Sequence, residues 1–267
     1  MPSYVVAGAS RGIGLEFVSQ LSSKSDNVVF ALARNPYGAK DLLALGSRAN
    51  VHVLKADITD PAALKAAADT VAKVTGGALD VLINNGAIMG ELKWAALDDF
   101  PSEDALVAEF RTVFDTNVLG AILPTNAFLP LLKKGAVKKV LTLSTGLADP
   151  ATVLHLGHKY ATAYSITKVG VEMANIKYAV KYKDAGFTFL TISPGLVKTD
   201  MNSLPEKPED LAKVQEVFGQ FATVAPPNFT GPISPEESVS AMLAVLEKVT
   251  PEDSGKFLSH HGDRNWL

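Results

Sequence analysis

Tyr164 and Lys168 stand four residues apart in Ala163-Tyr164-Ser165-Ile166-Thr167-Lys168, about 150 residues after a glycine-rich turn, Gly8-Ala9-Ser10-Arg11-Gly12-Ile13-Gly14. If the stretch is helical, the two side chains share one face. A phenol can give up a proton, and a fixed ammonium beside it favours the phenolate. Hydride arriving at a carbonyl carbon leaves negative charge on oxygen, which an acid must protonate. A phenol near pKa 10 suits neutral pH poorly, so the lysine and a nearby oxidised nicotinamide would have to lower that value. A Tyr-x-x-x-Lys pair alone arises readily by chance in a chain of 267 residues. The glycine turn gives the pair its context.

Gly8, Ser10, Arg11, Gly12, Ile13 and Gly14 follow an apolar run and open a helical pattern. Glycines there let backbone approach a pyrophosphate, and the helix N-terminus favours the anion. The bland alternative is an ordinary tight turn. At the end of the next apolar run, where an NAD site usually offers a carboxylate to the ribose, the chain has Ala33 and Arg34. A guanidinium pairs well with a 2′-phosphate, and Arg11 supplies a second cation. The predicted cofactor is therefore NADP(H), against the plain reading of two solvated surface arginines.

Elements must hold these groups. Apolar runs at Tyr4 to Ala7, Val28 to Ala33, Val51 to Ala56, Leu79 to Ile83, Lys139 to Leu143 and Phe187 to Ile192 read as strands, with a last one near Lys256 to Ser259. Helical patterns fall between them: Ile13 to Lys24, Pro36 to Leu45, Asp60-Pro61 onward to about Val74, Glu103 to Leu132 with a kink at Pro124, Ala163 to Lys183, and Ser234 to about Val249. The alternation predicts an α/β, doubly wound parallel sheet covered on both faces. With no linker, repeat or low-complexity tract, residues 1–267 read as one domain. The segment 201–232 is rich in Pro, Glu and Lys and breaks the alternation; it is the candidate substrate lid, with Phe218, Phe221, Val224 and Phe229 as candidate pocket residues.

Composition narrows the class. Hydrophobic residues make up 47% and charged residues 20%, enough for a large core and against disorder. A net charge of −3 without a basic region argues against nucleic-acid binding. The absence of cysteine removes disulfides and thiolate metal sites. Met-Pro-Ser-Tyr has no secretory pattern, and the apolar segment Ala121 to Leu132 is short and interrupted by Pro124 and Pro130, so no membrane partner and a cytoplasmic location are expected.

Across nearly its whole length the chain resembles the short-chain dehydrogenases/reductases. The resemblance rests on Ala7 to Gly14, Asp57-Ile58, Asn84-Asn85-Gly86-Ala87, Asn117, Tyr164 to Lys168, and Pro194-Gly195-Leu196-Val197-Lys198-Thr199-Asp200-Met201. The C-terminal Gly262 to Leu267, with Trp266, is similar to the carbonyl-reductase branch that includes sniffer-type and C-factor-like enzymes. The resemblance implies a seven-stranded Rossmann sheet in order 3-2-1-4-5-6-7. It implies that Asp57 and Ile58 meet the adenine and that Asn84 braces the fourth strand. It implies that Pro194, Gly195, Val197 and Thr199 hold the nicotinamide end, and that Lys168 also binds the ribose. Asn117 would hold a water linking Lys168 to solvent; its alternative is an amide bonding locally. The family often forms dimers or tetramers through long helices, and Met173, Ile176, Ala179 and Val180 are compatible with that.

The substrate oxygen needs a second donor. In Leu143-Ser144-Thr145-Gly146 the resemblance aligns Thr145 with the family's serine, and Ser144 is the alternative. The stretch to Tyr164 is long, so a loop with His155 and His158 is expected at the site mouth. Two imidazoles without carboxylate or cysteine neighbours make a poor metal site, and no metal is expected. His260-His261 is expected at the surface or an interface, and Tyr160 and Tyr178 as packing residues. Together these features predict an NADPH-dependent ketone or aldehyde reductase acting on a small carbonyl or alcohol. A non-catalytic NADP(H)-binding sensor on the same fold is the alternative, and the joint presence of Asn117, Tyr164 and Lys168 argues for the enzyme.

Overall fold

The computed structural model describes residues 1–202, 208–225, 229 and 231–266. In chain order these form β1 (Ser3–Ala7), α1 (Gly12–Ser22), β2 (Val28–Ala33), α2 (Lys40–Leu45), β3 (Val51–Lys55), α3 (Pro61–Thr75), β4 (Val81–Asn84), α4 (Glu103–Phe114), a π-helical turn (Asp115–Leu119), α5 (Gly120–Leu132) and β5 (Lys139–Leu143). There follow α6 (Pro150–Leu156), α7 (Thr162–Lys181), β6 (Thr188–Ser193), α8 (Pro208–Val224), α9 (Pro235–Lys248) and β7 (Phe257–Ser259), with short 3₁₀ turns between.

The strands build one parallel sheet in the order β3-β2-β1-β4-β5-β6-β7. The five inner strands, β2, β1, β4, β5 and β6, are buried on both faces, which is why they read as continuous apolar runs rather than alternating ones. One core packs Phe17, Val18 and Leu21 of α1 and Val239, Met242 and Leu246 of α9 against the sheet. The other packs Leu64 and Val71 of α3 and Phe128 and Leu132 of α5 against the opposite face. Chain order reverses between β1 and β4, so the connections that follow them run to opposite sides and leave a crevice at their carboxyl ends, the usual ligand position in such sheets.

Local signals set several boundaries. Asp60 accepts hydrogen bonds from the amides of Ala62 and Ala63 at the head of α3. Ser234 and Glu237 form a reciprocal capping box at the head of α9. β2 and β5 match the ranges expected of them. Other expectations need correction. Pro36 to Leu45 is a 3₁₀ turn followed by α2, not one helix. β4 starts later than Leu79 and takes in Asn84. The helix over Glu103 to Leu132 is not broken at Pro124, which lies inside α5. It is broken upstream, where the Gly120 amide reaches back to the Asp115 carbonyl. Gly120 is the residue whose carbonyl Pro124 cannot satisfy, so the distortion that an interior proline demands is taken up just before it. The candidate lid contains a regular 17-residue helix, α8; residues 203–207, 226–228 and 230, and the Val224 side chain, lie outside the described residues.

Candidate active site

The turn from β1 into α1 is shaped by close backbone approaches. Gly8 has φ +85°, and a Cβ there would lie 2.6 Å from the Gly86 Cα. A Cβ on Gly14 would run into the Gly8 carbonyl. Asn85 locks the arrangement by donating from Nδ2 to the Gly8 carbonyl at 2.8 Å. The Asn84-Asn85-Gly86-Ala87 motif by itself gives Asn85 no role; its bond links the end of β4 to the glycine turn. The Thr199 methyl lies opposite Gly12, where an added Cβ would meet it at 3.5 Å.

A continuous cleft of about 1110 Å³ runs from this turn across the carboxyl edge of the sheet. Gly8, Ser10, Arg11, Gly12, Ile13, Arg34, Asp57 and Ile58 line one end. Arg34 is exposed, and no carboxylate pairs with it among the described residues. Arg11 makes a loose 3.6 Å ion pair with Asp200, both side chains more than three-quarters exposed. Asp57 accepts from the Thr59 amide and hydroxyl through one oxygen, Oδ1. Ile58 packs under Gly86 and Gly120, each of which lacks room for a Cβ against it. The narrow glycine cradle, a helix N-terminus and an unpaired guanidinium at the end of β2 fit a phosphorylated dinucleotide.

The reactive end is a ladder between β5 and α7. Tyr164, Lys168 and Glu172 fall on one face of α7 at intervals of four. Three consecutive residues at the end of β5 answer them. The Lys168 Nζ donates to the Leu143 carbonyl at 2.7 Å. The Ser144 hydroxyl donates to Glu172 Oε1 at 2.9 Å. The Thr145 hydroxyl lies beside Tyr164 on the cleft wall, where it pulls the phenol's pKa down. The two candidate hydroxyls thus face different partners: Thr145 lines the cleft beside the phenol, and Ser144 is 2% exposed and tied to the carboxylate. The Lys168 ammonium lies 5.7 Å from the centre of the Tyr164 ring.

Electrostatics here follow desolvation. Burial pushes the Tyr164 hydroxyl up to about 12, with the Thr145 hydrogen bond opposing it. Burial pushes Lys168 down to about 8, with the Glu172 charge opposing it. In the chain by itself desolvation dominates at the phenol, and the expected lowering calls for the oxidised nicotinamide as well as Lys168. The ammonium reaches toward a carbonyl and the ring, and desolvation outweighs it.

Asn117 sits in the π-helical turn and is 1% exposed. Its Oδ1 accepts from the Ile88 amide at 2.8 Å, and its Nδ2 donates to the Ile88 carbonyl at 2.9 Å and to Thr167 Oγ1 at 3.0 Å. Both amide protons are used, and the side chain ties the loop after β4 to α7. Asn84 donates to Thr125 Oγ1 at 2.9 Å between β4 and α5, and its own Oδ1 is buried without a partner.

After β6, Pro194, Gly195, Val197 and Thr199 all line the cleft. The Pro194 carbonyl accepts from Ser238 at 2.7 Å, and the amide of Lys198 bonds the Ile233 carbonyl at 2.9 Å, fixing the turn to the head of α9. His260 lies directly behind Gly195, whose φ is +82° and where a Cβ would meet the imidazole at 2.7 Å. Of the His260-His261 pair expected at the surface or an interface, His261 is exposed, whereas His260 is 4% exposed and packs inside the chain. Burial and the neighbouring His261 push it down to about 4, so it is neutral at ordinary pH.

The far end of the cleft is covered from two sides. The expected loop with His155 and His158 contains α6, capped by Asp149. Asp149 also holds the C-terminal segment, through Arg264 at 3.0 Å and Trp266 Nε1 at 3.3 Å. Trp266 stacks on Phe257 and covers Gly146. Opposite, α8 is tied down by the Tyr160 hydroxyl on Glu216 at 2.7 Å and by Gln220 on the Gly157 carbonyl at 3.1 Å. Tyr160 therefore lines the cleft rather than merely packing, whereas Tyr178 stacks on Phe189. Phe218 and Phe221 line this end too. Ala161, with φ +52°, brings the chain into α7 in a left-handed conformation, its amide bonded to the Lys93 carbonyl. Asp149, Glu172, Arg264 and the His260 backing carried no motif that could have singled them out. Among the described residues no three His, Asp or Glu side chains gather as metal ligands, and no helix is long and apolar enough to cross a membrane.

Comparison with known proteins agrees with this architecture. The family model for short chain dehydrogenases matches residues 3–210. The chain belongs to the short-chain dehydrogenase/reductase family. It is similar to the short chain dehydrogenase virK of Hypocrea virens, 40% identical with all of both chains covered, and to the short-chain dehydrogenase/reductase atnB of Arthrinium sp, 39% identical with all of both covered. Among solved structures it resembles an NADPH-bound carbonyl reductase from chicken fatty liver, with TM-score 0.79, 30% identity and 98% of each chain covered. The carbonyl reductase Sniffer of D. melanogaster shares the fold, with TM-score 0.79, 22% identity and 98% of each chain covered.

Proposed function

We propose that the protein is an NADPH-dependent carbonyl reductase acting on a ketone or aldehyde. The observation that carries this reading is that the phenol–threonine pair over Lys168 and the glycine cradle with Arg34 line one cleft. Family membership establishes an oxidoreductase of CH–OH or C=O groups; the choice of cofactor and direction is our inference. NADPH bound along the cleft would supply the hydride. Gly8, Ser10, Gly12, Ile13 and Gly14 would cradle its pyrophosphate at the head of α1, with Arg34 and Arg11 on the 2′-phosphate. Asp57 and Ile58 would border the adenine, Asn84 and Asn85 would stiffen the strand end beside it, and Pro194 to Thr199 would hold the nicotinamide end.

The chain's own groups do the rest. Thr145 hydrogen-bonds the carbonyl oxygen and orients it toward the Tyr164 hydroxyl. Tyr164 gives that oxygen its proton, and Lys168 steadies the resulting phenolate. Asn117 fixes the loop after β4 against Thr167, and any water it holds for proton resupply must be bound without its amide protons. The apolar residues Phe218 and Phe221 on α8 and Trp266 shield the reacting end from water. The outer face of α7, with Ile166, Val169, Met173 and Val180 exposed, supports a homo-oligomer; Ala179 is buried in the core and takes no part.

The reading is tested with purified protein, NADPH or NADH, and a panel of aromatic, aliphatic and quinone carbonyls, following loss of reduced-nicotinamide absorbance. NADPH consumption with at least one carbonyl is expected. Arg34→Asp should cost NADPH roughly ten- to a hundredfold in kcat/KM, the scale of a hydrogen bond to a charged group. No turnover with any carbonyl, alongside tight NADPH binding, would leave the sensor reading in its place.

A further inference from the structure

The Tyr164–Lys168 pair has a third member on its helix face. Glu172 follows Lys168 by one helical turn and closes the ladder to β5 through Ser144. Its surroundings are mixed in charge. Lys168 faces it from its own helix, Ser144 from the end of β5, Asp149 from the head of α6, and Arg264 from the C-terminal segment. Asp149 is itself paired with Arg264 at 3.0 Å, so one cation lies among the acids from outside the helix. Nothing in hydride transfer calls for a carboxylate here, yet this one is half-buried and takes up the hydroxyl adjacent to Thr145.

We propose that Glu172 is a positioning residue for proton transfer: by binding Ser144 it fixes the strand end that offers the Leu143 carbonyl to Lys168 and the Thr145 hydroxyl to Tyr164, and its carboxylate supplies the counter-charge that keeps Lys168 an ammonium. Its role in turnover rests on Tyr164 being the proton donor; its effect on Lys168 does not. Ser144 is committed to Glu172, which leaves Thr145, one residue on, as the hydroxyl beside the phenol and decides between the two. Burial pushes Glu172 up to about 7, with the nearby Asp149 charge adding to it and Ser144, Arg264 and Lys168 opposing. Burial pushes Lys168 down to about 8, and the Glu172 charge opposes that fall.

The direct test is an NMR titration of lysine-¹³C-labelled protein without cofactor, the Lys168 signal being assigned by its loss in Lys168→Met. Lys168 should titrate near 8 in the unaltered chain. In Glu172→Gln, which keeps the shape and an acceptor for Ser144, the midpoint should fall by about half a unit or more, and in Glu172→Asp it should lie between. An unmoved midpoint in folded Glu172→Gln overturns the proposal. If that variant does not fold, Glu172→Asp decides, a downward displacement upholding the idea and an unmoved midpoint ending it. In turnover, the alkaline limb of kcat should move down with the midpoint while KM for NADPH stays within about twofold, a split that lost packing would not produce. A uniform loss at every pH, with no movement of the limb, overturns it as well. Should the unaltered chain reduce no carbonyl, the reductase reading falls and the titration still judges Glu172.

Discussion

An ammonium 3% exposed is a cost to the fold, and Lys168 is where that cost falls. Its folded value lies near 8 against an ordinary 10.5, so below about 8 the folded chain must hold a charge that burial disfavours. The unfolded chain binds that proton more tightly, and stability therefore rises as pH climbs from about 8 toward 10.5. Lys168→Met keeps most of the side-chain length and removes the charge. Its melting temperature at pH 7 should exceed that of the unaltered chain, with the advantage shrinking toward pH 10, while turnover is lost. A lower melting temperature at pH 7 would mean that the bond to Leu143 outweighs desolvation. The Tyr-x-x-x-Lys spacing revealed this pair directly, because a helix brings i and i+4 together whatever surrounds it. The choice between Ser144 and Thr145 was not readable in the same way. It depends on which way a strand end turns, and Glu172, 28 residues on, settles the side to which Ser144 points.

At the scale of elements, strands and caps were the most readable features. Val28–Ala33 and Lys139–Leu143 are apolar runs bounded by polar residues, and Asp60-Pro61 and Ser234-Pro235 signal helix starts by side-chain hydrogen bonds made within three residues. The π-helical turn at Asp115–Leu119 left no trace, because the apolar pattern runs through it and its cause, Pro124, lies beyond it. α8 was masked by a composition of Pro, Glu and Lys, although its polar residues pair with the Gly157 to Tyr160 stretch rather than with solvent alone. The glycine turn gives the sharpest prediction here. Gly14→Ala would drive a methyl into the Gly8 carbonyl and the Asn85 amide, which cannot both move without opening the β1–β4 junction. NADPH affinity should fall at least about tenfold, and stability by about 1–3 kcal/mol, the usual cost of overpacking. Isothermal titration and thermal unfolding check the two effects; an unchanged affinity would show that the turn does not cradle the cofactor.

The whole molecule is one parallel sheet whose carboxyl edge is roofed by two unequal covers. One is α8, held through Tyr160 and Gln220; the other is the C-terminal segment, held through Asp149. His260 shows why such long-range contacts escape a sequence reading: its partner, Gly195, is 65 residues away and offers only the absence of a side chain. The outer face of α7 exposes Met173 at 52% and Val180 at 70%, a surface suited to a second copy. Met173→Asp should shift the protein toward monomer in light scattering after size exclusion, with turnover per chain preserved; a monomeric unaltered chain would refute that use of the face. The glycine turn and Tyr164 line a single cleft, and Tyr164→Phe tests the proposed cofactor end and reactive end separately. NADPH affinity measured by its fluorescence should stay within about threefold, because the ring and Lys168 remain, while kcat should drop by about 10²–10⁴, the share of a general acid. Turnover in Tyr164→Phe equal to that of the unaltered chain would contradict the assignment of the proton to this phenol.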